Sequence, residues 1–126
     1  MVNEHKNELG FVRKVTLDAS LRQNEIFVAE SDGKIVGFLH YHHRRDLQTT
    51  LYHVVVSLQQ RRQGIGTLLL KSLIKESRSR NKRWIVLKCP VNSPANHFYH
   101  QIGFYHWRIE PGKRRALNVW KLVVTN

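Results

Sequence analysis

The sequence predicts an α/β domain in which a mixed sheet carries helices on its faces. Three observations lead there. Short apolar and β-branched runs of strand length recur along the chain. An Asp-Gly pair separates two of them. One longer segment repeats its leucines at helical spacing. Strands interleaved with helical segments in this way describe a sheet covered by helices.

Taken in order, residues 3–9 form a short polar segment that Gly10 can close as a helix end. Residues 13–22 read as a second short helix, with Val15, Leu17, Ala19 and Leu21 among charges. Residues 26–29 are a strand, and Ser31-Asp32-Gly33-Lys34 is a hairpin turn, because Asp-Gly supplies the positive φ angles of a tight turn. Residues 35–42 are the return strand. Residues 51–57 form a third strand, rich in Val54, Val55 and Val56, whose near-continuous apolar character implies burial on both faces. Ile65, Leu68, Leu69 and Leu73 recur at helical spacing opposite Lys71, Lys75 and Arg78, and Asn81 is a left-handed stop after Ser79. Residues 84–89 are a buried strand. Residues 94–101 are a short helix, capped by Ser93 with Pro94 at its first position. Residues 104–109 and 116–124 form a last hairpin across the basic turn Pro111-Gly112-Lys113-Arg114-Arg115.

The 126 residues suit a single domain, 1–126, long enough to bury a core without disulfides or a structural metal. No apolar run approaches the roughly 20 residues that span a bilayer, and the polar N-terminus has no signal-peptide core. The single cysteine, Cys89, cannot form an internal disulfide, so the expected compartment is the cytoplasm and no membrane partner is expected. The protein is basic: 21 Lys and Arg face 9 Asp and Glu, a net charge of +12. Such a field attracts a polyphosphate cofactor, nucleic acid or an acidic protein, and argues against a polycationic substrate.

The sharpest local signal is the order strand, Arg61-Arg62-Gln63-Gly64-Ile65-Gly66-Thr67, helix. Glycines at a helix start let backbone N–H groups approach an anion, and the helix dipole favours negative charge there. Arg61 and Arg62 add charge. The alternative is a tight strand-to-helix turn that needs glycine for its own sake. A P-loop would need Lys-Ser/Thr after its last glycine, where Thr67-Leu68 stands, and a dinucleotide fingerprint would need a third glycine, where Leu69 stands.

The spacing Arg61-x-x-Gly64-x-Gly66 resembles the coenzyme A loop of the GNAT superfamily of acyl-CoA N-acyltransferases. Two further segments share the resemblance. Asn92-x-x-Ala95 opens a helix carrying Tyr99 and is followed by Gly103-Phe104, and Val36-Gly37-Phe38 follows the Asp-Gly turn. The resemblance covers residues 26–124. It implies acetyl-CoA as cosubstrate and transfer of an acetyl group to a primary amine, by direct attack in a ternary complex. It implies a V-shaped splay between the strand ending at Val56 and the strand ending at Cys89. The pantetheine would pair with backbone near Val54 and Val56 and hydrogen-bond to Asn92. The pyrophosphate would sit on amides from Arg62 through Gln63, Gly64, Ile65 and Gly66 to Thr67. Tyr99 would protonate the departing thiolate, a role its ordinary pKa near 10 suits. Members of the superfamily normally open with a strand and a helix before the segment that here reads His5-Lys6-Asn7-Glu8-Leu9-Gly10-Phe11, so the opening strand is expected to be missing. That would leave residues 26–29 as a bare sheet edge and favour a homodimer. The rival reading is a noncatalytic acyl-CoA-sensing or nucleic-acid-binding module on the same fold.

The general base is less evident. Residues 51–57 hold no carboxylate; His53 and Tyr52 are the titratable candidates, and histidine is the better base near pH 7. Adjacent strand residues face opposite sides, so only one of the two is expected to face the cleft. A water chain, or an amine already neutral, would need neither. His40 and His42, in the run His40-Tyr41-His42-His43-Arg44-Arg45, share a strand face, but no further ligand pattern completes a site and no metal is expected. The run reads as a packed or solvated strand end, or as a wall facing the substrate. Cys89 reads as a small buried residue rather than an acylated nucleophile. Trp84, Trp107 and Trp120 read as core or sheet-face aromatics, with no basic-aromatic interleaving in sequence to suggest an RNA-binding module.

Overall fold

The computed structural model of the protein describes residues 11–16, 25–60 and 64–125. Seven strands are linked by hydrogen-bonded ladders in the order β1-β2-β3-β4-β5-β7-β6. The strands are β1 (Phe11–Thr16), β2 (Glu25–Ser31), β3 (Lys34–His43), β4 (Gln48–Val56), β5 (Trp84–Pro90), β6 (Tyr105–Glu110) and β7 (Leu117–Val123). The helices are α1 (Ile65–Ser79) and α2 (Ala95–Ile102), with a 3-10 turn at Leu58–Gln60. The chain divides into two compact units, Met1–His42 with Tyr52–Glu76 and His43–Leu51 with Ser77–Asn126. No described helix is long and apolar enough to cross a membrane.

In the first unit, Asp32 and Gly33 take φ angles of 52° and 76°, and the antiparallel β2–β3 hairpin closes on them at Ser31↔Lys34. The turn expected from Asp-Gly is therefore present. In this unit the buried face of α1 is Ile65, Leu69, Leu70 and Leu73, with Lys71 and Lys75 exposed, which is the amphipathic pattern of its sequence. Beneath it, Tyr41 is fully buried and stacks on Phe27 at 5.2 Å. Gly37 sits where elements meet closely. A Cβ there would stand 2.9 Å from the Val55 carbonyl oxygen, 3.3 Å from Ile65 Cγ2 and 3.4 Å from Leu69 Cδ1.

Two expectations fail in this unit. The opening strand is not missing. Residues 11–16 form β1, although 13–16 are expected to belong to a helix over 13–22, and the strand pairs antiparallel with β2 from Phe11↔Glu30 to Thr16↔Glu25. Residues 1–10 and 17–24 lie outside the described residues, and with them the expected helix over 3–9. Val12, Val15 and Thr16 are β-branched and tolerate extended backbone, and the ladder to β2 then holds the segment as a strand. Arg13 and Lys14 also find acids as a strand, Arg13 pairing with Glu30, and Lys14 Nζ standing 3.2 Å from Glu76 and 3.5 Å from Glu25. In consequence β2 has a strand on each side and is no bare edge, so that argument for a homodimer falls away. The second failure concerns β4. Thr49 and Leu51 are buried, but Tyr52, His53 and Val55 are exposed, so two-sided burial does not reach the end of the strand.

In the second unit, β4 and β5 pair in parallel only from Gln48↔Trp84 to Leu51↔Leu87, and residues 52–56 lie beyond that ladder. β5 then pairs antiparallel with β7 along its whole length, from Trp84↔Val123 to Pro90↔Leu117. Ile85, Val86 and Leu87 are buried in succession, so both faces of β5 are covered along this stretch. Asn81 takes the expected left-handed conformation, φ 60°. The second helix starts at Ala95 rather than Pro94. Ser93 Oγ accepts the Ala95 N–H at 3.2 Å, and Pro94 already has helical angles as the cap. At the other end Phe104 N donates to Tyr99 O at 3.0 Å, closing α2.

The close approach at Gly37 yields a test. Gly37→Ala puts a methyl group against a backbone oxygen that cannot swing aside, and overpacking of this kind typically destabilises by about 1–3 kcal/mol. The urea midpoint should fall accordingly with an unchanged slope; equal midpoints for wild type and variant would show that β3 and β4 separate freely.

Candidate active site

The start of α1 leaves backbone donors without helical acceptors. Leu68 N donates to Gly64 O at 3.0 Å, which is the first helical hydrogen bond. The N–H groups of Ile65, Gly66 and Thr67 precede it and have no acceptor inside the helix. Gly64 takes φ +79°, a conformation that strains any L side chain, and nothing lies within 4 Å of where its Cβ would be. No acidic residue stands in the first turn. Ile65 is buried and fixes the turn against the core, while Gly66 and Thr67 are half-buried. Arg61, Arg62 and Gln63 lie outside the described residues.

On β4, Val54 and Val56 are half-buried and Tyr52 and His53 exposed. Sequence reasoning put Tyr52 and His53 on opposite faces, yet both rings lie against His40. The Tyr52 ring is 5.0 Å away and the His53 ring 5.9 Å away, the latter stacked. His40 has its pKa lowered, first by burial and then by repulsion from His53. The result is an imidazole cluster on β3 and β4 in which His40 resists taking a proton.

The second unit carries the other predicted residues. Tyr99, on α2, is buried and held edge-on between Phe98 at 5.4 Å and Phe104 at 5.9 Å. Burial, with the neighbouring Cys89 thiol as second cause, pushes its pKa up to about 12. Cys89 is itself buried. Burial raises its thiol pKa, and a hydrogen bond with the Ser93 side chain partly offsets that. A thiol kept protonated is a poor nucleophile, which favours the structural reading of Cys89. Asn92 is exposed, and its Oδ1 accepts from Arg115 NH1 at 3.0 Å, so the basic turn reaches back to it.

Sequence reasoning missed Asn96. Its Nδ2 donates to the carbonyls of Pro90 and Ser93, each at 2.8 Å. Its Oδ1 accepts from Trp120 Nε1 at 2.8 Å and Asn118 Nδ2 at 3.0 Å. One carboxamide thus ties the end of β5 and the first turn of α2 to β7. The available signal was its place one helical turn before Tyr99 and His100, on the same face.

The His40 shift predicts an acid dependence. Its pKa is lower folded than unfolded, so the native state binds fewer protons as pH falls through the ordinary histidine range near 6.5. Its contribution is intact above that range and is lost as pH descends through it. The melting temperature of wild type should therefore drop more steeply below about pH 6.5 than that of His40→Gln. Parallel curves would show that His40 is indifferent to its surroundings.

A model of the acetyltransferase (GNAT) family matches residues 3–104. The ribosomal-protein-S18-alanine N-acetyltransferase of Escherichia coli superposes with a TM-score of 0.75 at 19% identity, over 92% of this chain and 96% of that one. A GNAT family acetyltransferase of Elizabethkingia anophelis, solved with acetyl-CoA bound, gives a TM-score of 0.77 at 15% identity, over 89% and 97%. An aminoglycoside 6'-N-acetyltransferase solved with coenzyme A gives 0.73 at 17% identity, over 83% and 75%. The structural likeness speaks for the fold, and the family model spans most of the sequence: the chain belongs to the acetyltransferase (GNAT) family.

Proposed function

We propose that the protein transfers an acetyl group from acetyl-CoA to a primary amine, by direct attack in a ternary complex, with its two units working as one transferase domain. The acceptor class is a small-molecule amine, a protein N-terminus or a lysine. The observation that carries the reading is Tyr99, a buried phenol that keeps its proton throughout the neutral range, on a helix anchored by Asn96.

Acetyl-CoA supplies an activated thioester. The N–H groups of Ile65, Gly66 and Thr67, with Gln63, Gly64 and the guanidinium groups of Arg61 and Arg62, receive its pyrophosphate. The donors are of the right kind and the first turn carries no competing acid. Backbone groups near Val54 and Val56 pair with the pantetheine, on a stretch of β4 that the β5 ladder leaves behind at Leu51. The Asn92 amide adds a donor. The amine lone pair then forms the new C–N bond as the C–S bond opens. Tyr99 Oη gives its proton to sulfur, and the proton lost by nitrogen passes to His53 or to water. A phenol with a pKa of about 12 suits a thiolate that is itself out of water, because desolvation raises both. His40, held neutral, leaves His53 free of a charged neighbour when it takes up a proton.

Two measurements test this. Acetyl-CoA should raise the melting temperature, since a ligand of the native state stabilises it. Gly66→Asp should abolish that rise by setting a carboxylate where phosphate is bound; an equal rise in both proteins would move the site elsewhere. Tyr99→Phe keeps the ring and removes the proton. It should lower kcat by roughly 10²–10⁴-fold while leaving acetyl-CoA affinity unchanged. A wild-type kcat in this variant would reduce Tyr99 to a packing residue.

A further inference from the structure

Three strands of the second unit build an arrangement that no stretch of the sequence displays. Lys121 Nζ lies 4.2 Å from the ring centroid of Trp84 and 4.6 Å from that of Trp107. The guanidinium carbon of Arg108 lies 4.3 Å from the Trp107 centroid. The four side chains form one ladder of rings and cations, Trp84–Lys121–Trp107–Arg108, running across β5, β7 and β6.

Register explains it. Trp84 pairs with Val123, Val86 with Lys121 and Lys88 with Val119, so these alternate positions share one sheet face. Tyr105 also pairs with Lys121 and Arg108 with Val119. The pairing shifts between His106 and Arg108. Such a bulge lets the consecutive residues Trp107 and Arg108 both reach this face. At its β6 side this face is exposed, Tyr105 by 46% and Trp107 by 43%, while Val86 and Val119 within it are buried. Lys88 and Arg108 both pair with Glu110, the single acid paired with them among the described residues, and each keeps about half its side chain in solvent.

We propose that this face binds single-stranded nucleic acid. Unpaired bases stack on aromatic rings and on arginine guanidinium planes, and basic side chains set among them hold the phosphates. The ladder offers both at once and ends in Arg108, with the exposed Tyr105 ring on the same face. The protein's net charge of +12 draws a polyanion toward it. A second copy of the chain fits poorly, because a two-fold contact would set Lys88, Lys121 and Arg108 against their own images. The proposal does not rest on acetyl transfer.

The test is fluorescence anisotropy with labelled oligouridine of about 15 nucleotides, over a salt series, on the full chain. The wild type should bind, with log affinity falling linearly in log salt. Trp107→Ala should weaken binding by roughly 5–150-fold, the loss of one stacking partner. Arg108→Ala, which shortens an exposed side chain, should weaken it and flatten the salt slope by about one ion. Both variants should keep the wild-type melting temperature. No binding by wild type would overturn the proposal. So would equal binding by wild type and both variants, or equal competition by polyglutamate, which would mark a merely charged surface. A dimer that either substitution dissociates, seen by sedimentation, would assign the face to a second copy instead.

Discussion

The carboxamide of Asn96 holds α2 against β5 and β7. It sits among groups that must be satisfied somewhere: two carbonyls at the end of β5 and the start of α2, the Trp120 indole N–H and the Asn118 amide. An amide side chain has two donors and two acceptor positions, and here all are used. That saturation fixes the rotation of α2 about its axis. Rotation in turn sets Tyr99 inward between Phe98 and Phe104 and His100 toward Trp120. Apolar packing alone would tolerate small turns of an eight-residue helix; directional hydrogen bonds do not.

Much of the fold was legible because its signals are local. Asp32-Gly33 announced its hairpin, the leucine spacing announced α1, and Ser93-Pro94 located the start of α2 within a residue. What failed was non-local. Strand β1 is short and charged, and is held by its ladder to β2 and by ion pairs with Glu25, Glu30 and Glu76, none of which a window on residues 11–16 contains. The exposure of Tyr52, His53 and Val55 depends on where the β4–β5 ladder stops, not on the apolar run itself. The candidate site divides the same way. Its glycines and Tyr99 could be picked out by spacing. Asn96, the convergence of Tyr52 and His53 on His40, and the Trp–Lys–Trp–Arg ladder exist only through register.

The two halves of the proposed chemistry use opposite electrostatic environments. At the start of α1 the donors are backbone amides at a helix terminus, which stay available whatever the pH. Around Tyr99 the apolar surroundings withhold charge, keeping both the phenol and the nearby thiol neutral. Anion binding calls for the first environment and proton storage for the second.

The burial of Cys89 also governs how the protein behaves toward thiol reagents. Its sulfur is shielded, kept in the thiol form and hydrogen-bonded to Ser93. Disulfide exchange and alkylation both proceed through thiolate, so the folded chain is close to silent toward them. The chain has no other cysteine. A thiol-reactive dye added to the working protein therefore reports coenzyme A as it is released, with little background from the protein. Slow labelling of the protein itself becomes a clock for the local opening that uncovers the end of β5.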